Sequence, residues 1–172
     1  MTLRLTCELM EVSGRRPILL VDVDGVLSLF GFGAAPPAGL VPASIDGIPH
    51  FLSPDAALRL NRLAATFRCA WCTGWEERAE EHLPRLLGLP GGWPHLTFPP
   101  QEPAAGRHWK LGAIESWAGR DTPLAWIDDA FDASCETWAA ARAAPTLLVR
   151  TEPATGLAQE HVTRLESWAR SL

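Results

Sequence analysis

The stretch Pro17-Ile18-Leu19-Leu20-Val21-Asp22-Val23-Asp24-Gly25-Val26-Leu27 decides the fold of this chain. Its first half is a short, partly β-branched apolar run, the pattern of a strand buried on both faces. The run ends in two acids one residue apart. At the end of an extended chain such an i, i+2 pair points to one side, and the glycine that follows lets the backbone turn sharply. Taken alone, an Asp-x-Asp here could equally be a turn and a helix cap, because Asp is common at both.

Two other apolar runs end in comparable residues. Cys69-Ala70-Trp71-Cys72 runs into Thr73-Gly74-Trp75, and Leu124-Ala125-Trp126-Ile127 runs into Asp128-Asp129-Ala130-Phe131-Asp132. Thr146 to Val149 reads as a last strand, and Leu96 to Phe98 as a short one. Helical patterns separate them. Ser53-Pro54-Asp55 is a helix start with Ser as N-cap, and Leu60, Leu63, Ala64 and Phe67 then share a face. Glu76 to Leu87 is helical, with Pro84 expected to kink or end it. Leu111, Ile114 and Ala118 form a stripe, Asp132 to Arg142 a further helix, and Leu157 to Leu172 the closing one. Strands alternating with helices, and apolar on both faces, imply a parallel sheet between two helix layers.

The 172 residues fit one domain: a lead-in at 1–16, then 17–172 with a short Gly/Pro-rich flap or hairpin at about 28–53, which carries weak strand signals near Leu40-Val41 and His50-Leu52. Hydrophobic residues at 47% and charged residues at 20% are those of a globular protein, so disorder is excluded. A net charge of −5 argues against a sequence-independent grip on nucleic acid or an anionic membrane. The start carries no apolar stretch of signal-peptide length, and the expectation is a cytoplasmic protein without membrane attachment. Cys69 and Cys72 form a C-x-x-C, but an odd offset on a strand sends them to opposite faces, so packing is expected rather than redox or zinc chemistry.

In such a sheet, ligands bind outside the carboxyl ends of the strands. Asp22, Asp24, Asp128 and Asp129, the Thr73 hydroxyl and Lys110 all converge there. Lys110 is the single lysine in a chain with 15 basic residues, which suggests that a compact ammonium is specifically wanted at that place. Acids packed this closely repel one another. A hard divalent cation relieves the repulsion, and an oxygen-only ligand set points to Mg²⁺ rather than Zn²⁺.

These residues resemble, in type, order and spacing, the four motifs of the haloacid dehalogenase superfamily of phosphohydrolases: ILLVDVDGVL, CAWCT, Lys110 and AWIDD. The flap, the TGWEE after the second strand and the late TEPATGL resemble a small bacterial branch. That branch includes the phosphatase-like domain of multi-enzyme RNA-repair proteins. The resemblance implies a three-layer α/β/α, Rossmann-like sandwich with a mainly parallel sheet of about five strands and no large cap.

It also implies roles. Asp22 would be the nucleophile that forms an aspartyl-phosphate, and Asp24 the acid and then the base. Thr73 would bond a phosphoryl oxygen, with Gly74 and Trp75 beside the substrate. Lys110 would neutralise charge, and Asp22, the Asp24 carbonyl, Asp128 and Asp129 would hold Mg²⁺. Asp132 is expected to cap a helix, although a supporting acid sits there in some members. Trp75 and Trp109 adjoin Thr73 and Lys110, and one of them is expected to line the leaving-group pocket. The implied activity is phosphomonoester hydrolysis on a nucleic-acid end, a phosphoprotein or a small phosphate ester. A phosphotransferase, or a silent binding module on the same fold, is the alternative.

Overall fold

The computed structural model describes residues 16–100 and 105–172, so of the expected lead-in only Arg16 is included, and Cys7 lies outside. In chain order the elements are β1 (Ile18–Val21), β2 (Ser28–Leu29), β3 (Val41–Ile45), β4 (Ile48–Leu52), α1 (Pro54–Leu63) and β5 (Arg68–Trp71). There follow α2 (Glu77–Leu87), α3 (Leu111–Ala118), β6 (Leu124–Asp128), α4 (Ala133–Ala141), β7 (Thr146–Arg150) and α5 (Gln159–Arg170).

Strands β5, β1, β6 and β7, in that order, make a parallel sheet. The period of two in the strand side chains divides the core between its faces. Leu19, Val21, Trp71 and Ile127 pack with Leu60 and Leu63 of α1, Leu83 of α2, and Val162 and Leu165 of α5. Ile18, Leu20, Ala70 and Trp126 pack with Ile114 of α3 and with Cys135 and Trp138 of α4. The result is the expected α/β/α sandwich. Each fully buried leucine or isoleucine contributes roughly 1.5–3 kcal/mol. Apolar packing on both faces therefore holds the strands in place beneath the charged residues at their ends. Cys69 and Cys72 fall in opposite layers, and Cys69, Cys72 and Cys135 are free thiols.

The described sheet has four strands where about five were expected. The segment at Leu96–Phe98 reaches the edge only as a bridge at His95, through Trp71 N–H to the Pro94 carbonyl and Leu96 N–H to the Trp71 carbonyl. It goes no further because the Phe98 N–H donates to Glu76 Oε1 (2.8 Å) and the chain then enters Pro99-Pro100. Pro84, expected to kink or end its helix, does not end it. Helix α2 runs through it to Leu87 and ends at Gly88 in the left-handed region (φ 68°). A proline in the last turn forfeits one ladder bond, and the apolar face carrying Ala79 and Leu83 outweighs that loss.

The flap is a second, antiparallel sheet in the order β2-β4-β3. Its hairpin turns at Asp46-Gly47, both with positive φ (53° and 80°), the geometry of a tight two-residue connection. No large cap stands over the sheet among the described residues, and none of their helices is long and apolar enough to cross a membrane.

Candidate active site

Val21 pairs with Trp71 on one side and Ile127 on the other, so β1, β5 and β6 end level. One residue further on, the chain releases Asp22 between Cys72-Thr73 and Asp128. Lys110 enters from the start of α3 and is buried, as are Asp22 and Asp128. Its Nζ lies 2.8 Å from Asp22 Oδ2 and 2.6 Å from Asp128 Oδ2. The second oxygens are also placed: Asp22 Oδ1 accepts from Val23 N–H (2.7 Å) and Asp128 Oδ1 from Ala130 N–H (3.0 Å).

Burial pushes the Asp22 carboxyl up to about 7; the Lys110 ammonium opposes that shift and the charge of Asp128 adds to it. Burial alone would depress Lys110, but the charges of Asp22 and Asp128 outweigh it and hold the amine firmly protonated. Asp129 is raised by partial burial and by Asp128. One oxygen each from Asp22, Asp128 and Asp129 lies within 4.8 Å of the others. Three carboxyls share one ammonium, and an acidic, all-oxygen group of that kind fits a hard divalent ion.

The Asp24 side chain does not join this group. Half exposed, it turns outward: its Oδ2 accepts from Trp75 Nε1 (2.9 Å), and His50 Nδ1 stands 3.9 Å from its Oδ1. Thr73 is buried directly after β5, with Oγ1 accepting from Trp75 N–H (3.3 Å). Gly74 is open to solvent, and a side-chain carbon there would approach the Trp109 ring at 3.7 Å. Trp109 thus lies beside the loop that carries Thr73 and Trp75. Asp132 caps α4, its Oδ1 accepting from Ser134 N–H (2.9 Å) and Cys135 N–H (3.2 Å). The Ser134 hydroxyl bond leads those that hold its carboxyl below the usual range.

Four partners escaped sequence reasoning. Trp126 belongs to the apolar run of β6 and is buried, but its Nε1 donates to Asp128 Oδ2 (3.1 Å). Residues two apart on a strand share a face, and that spacing was the available signal. His108 is buried edge-to-face on Trp126 and accepts from Lys110 N–H at Nδ1 (3.3 Å). Thr151 joins the loops after β1 and β6, donating its hydroxyl to the Gly25 carbonyl (2.8 Å) and its N–H to the Asp128 carbonyl (3.1 Å). His50 reaches Asp24 only through the flap hairpin. Gly25 itself has φ 71°, and a side-chain carbon there would lie 2.5 Å from Asp129 Cγ, so this acid packs directly on the glycine.

A parallel sheet with this acid–lysine centre at its carboxyl edge is the architecture of a haloacid dehalogenase-type domain. Comparison of the sequence with protein families agrees: residues 18–162 match the family described as the HAD domain in Swiss Army Knife RNA repair proteins, and the chain belongs to that family. No curated protein matches it. Membership suggests phosphohydrolase-type chemistry.

Proposed function

We propose that the protein is a Mg²⁺-dependent phosphomonoesterase working through a phosphorylated Asp22. The observation that carries this reading is the Lys110 ammonium bridging Asp22 and Asp128, with Asp129 completing a group of three oxygen donors. Asp22, Asp128 and Asp129, with the Asp24 carbonyl, are the residues that would hold the ion. When bound, it would offset carboxylate and phosphoryl charge and so let an anionic nucleophile approach an anionic ester.

In the first step an Asp22 oxygen attacks phosphorus and the bond to the leaving alcohol breaks. Asp24 gives its proton to that oxygen. In the second, Asp24 takes a proton from water. The water oxygen attacks phosphorus, and the P–O bond to Asp22 breaks, freeing inorganic phosphate and restoring the carboxylate. Val23 N–H fixes one Asp22 oxygen and Lys110 binds the other. Thr73 and the Gly74 backbone would take phosphoryl oxygens, and Lys110 would hold charge on both sides of the transfer.

Asp24 fits the acid–base part because its carboxyl is half exposed and stands outside the group of three oxygen donors, tethered by Trp75. The family's place in RNA repair suggests a phosphorylated nucleic-acid end as substrate. Hydrolysis of a small phosphate ester, with and without Mg²⁺, tests the reading: Asp22→Asn should fall by roughly a thousandfold or more. Equal rates for the two proteins would end it, and phosphate appearing on an added alcohol in place of water would make the protein a transferase.

A further inference from the structure

Beside Asp24, between the flap sheet and the start of α2, lies a cleft of about 830 Å³. That volume is within the ~300–1,000 Å³ typical of small-molecule sites. We propose that it is a nucleoside pocket, binding by its ring faces the base of the one nucleotide whose phosphate is cleaved, without tracking a longer strand. The proposal rests on the phosphatase reading and names the leaving group for it.

Position is the first argument. The leaving oxygen must come within reach of the Asp24 carboxyl, and Asp24 lines this cleft, so whatever is attached to that oxygen extends into it. The lining is the second. Two aromatic pairs face the space: His50 with Trp75, ring centres 4.5 Å apart, and Phe32 with Phe51, at 5.8 Å and nearly perpendicular. Stacking on aromatic rings is indifferent to base identity, because every base has a π face. The Trp75 indole is also held in place beforehand by its bond to Asp24, and His50 by the Ser28 hydroxyl at 3.0 Å from its Nδ1.

Charge is the third argument. Among the described residues, Arg78 is the only arginine or lysine in the lining, and its Nη1 is tied to Asp46 Oδ2 at 2.6 Å. A surface that follows a phosphate backbone presents rows of free cations and loses affinity steeply with salt. The described lining of this cleft holds no row of that kind. Recognition would therefore end with the terminal nucleoside.

The test uses Asp22→Asn protein, in which binding is separate from turnover, and follows calorimetrically the binding of adenosine and cytidine monophosphates, each phosphorylated at the 3′ or the 5′ position. Ribose 5-phosphate is the base-free reference. For at least one position both nucleotides should bind about tenfold or more tighter than the reference, the size of one base stack. Trp75→Ala should erase most of that ratio, Trp75→Phe should keep it, and Phe51→Ala should reduce it independently. In the active enzyme, kcat/KM for a mononucleotide and for a short oligonucleotide with the same end should agree within about threefold and change little with salt. Ribose 5-phosphate binding as tightly as the nucleotides would overturn the proposal. So would a ratio insensitive to Trp75→Ala and Phe51→Ala, or a strong, salt-sensitive preference for the oligonucleotide. Hydrolysis without base discrimination would sink this inference alone. Base discrimination without Asp22-dependent hydrolysis would sink the phosphatase reading alone.

Discussion

Replacing Lys110 by Met keeps the apolar stem and removes the charge that Asp22 and Asp128 share. At distances of 2.8 and 2.6 Å, and an effective dielectric constant of about 20, each contact is worth about 6 kcal/mol before desolvation is counted. Burying the ammonium cancels several kcal/mol of that sum, and breaking a buried pair by removing one partner costs about 3–5 kcal/mol in practice. We expect Lys110→Met to lose about 4 kcal/mol in the absence of divalent ions.

The loss should depend on pH in a definite sense. Without Lys110 the Asp22 carboxyl, already raised in the native state, rises further. A carboxyl raised on folding binds its proton more tightly in the native state, so it favours folding at low pH and its ionisation is resisted as pH climbs. The penalty should therefore be larger near pH 8 than near pH 6. Urea unfolding followed by tryptophan fluorescence at both pH values measures it. A variant within about 0.5 kcal/mol of the parent near pH 8 would refute the reasoning.

Gly156 has φ 65°, and a side-chain carbon there would strike the Val26 carbonyl oxygen and lie 2.5 Å from Leu29 Cδ2. Gly156→Ala should cost about 3 kcal/mol in unfolding experiments, whereas Gly33→Ala, with open space around it, should stay within about 0.5 kcal/mol. Comparable losses would refute the close approach of the two loops. Burial pushes the Cys69 thiol up to about 12 and Cys72 well above its ordinary value. In native Cys7→Ser protein, Cys69, Cys72 and Cys135 should therefore resist a thiol reagent near pH 8 that labels all three after denaturation. Rapid native labelling would contradict that. With the Asp22 carboxyl near 7, cation binding below that pH must displace a proton. The apparent Mg²⁺ affinity should fall up to tenfold per unit from about pH 7 to about pH 5 and level off above. A flat profile over that interval would remove Asp22 from the ligands.

The acid-bearing edge was legible because buried parallel strands appear as unbroken apolar runs, and the residue after each run is then placed without knowing the loops. Asp22, Thr73 and Asp128 were found in that way, and Lys110 by being the sole lysine. The flap was less legible. Its strands Val41–Ile45 and Ile48–Leu52 carry Pro42 and Pro49 and are largely exposed, so they lack the alternation that marks a half-buried strand. The hairpin was one of the two forms expected for this segment, and Asp46-Gly47 is its turn, but nothing local placed His50 over Asp24. The edge bridge at His95 was over-read as a strand because Leu96 and Phe98 alternate correctly. What stops it is the capture of the Phe98 amide by Glu76, a contact between distant segments. Likewise, nothing local marks Thr151: its two partners, Gly25 and Asp128, come from different strand ends.

The central claim is that the phosphoryl group passes through the side chain of Asp22. Acid quenching during turnover of a radiolabelled phosphate ester, followed by peptide mapping, tests it most directly. The account predicts label on the peptide containing Asp22 in the parent protein, released by hydroxylamine, and none in Asp22→Asn. Turnover with no label trapped at that position, or label persisting in Asp22→Asn, would contradict it.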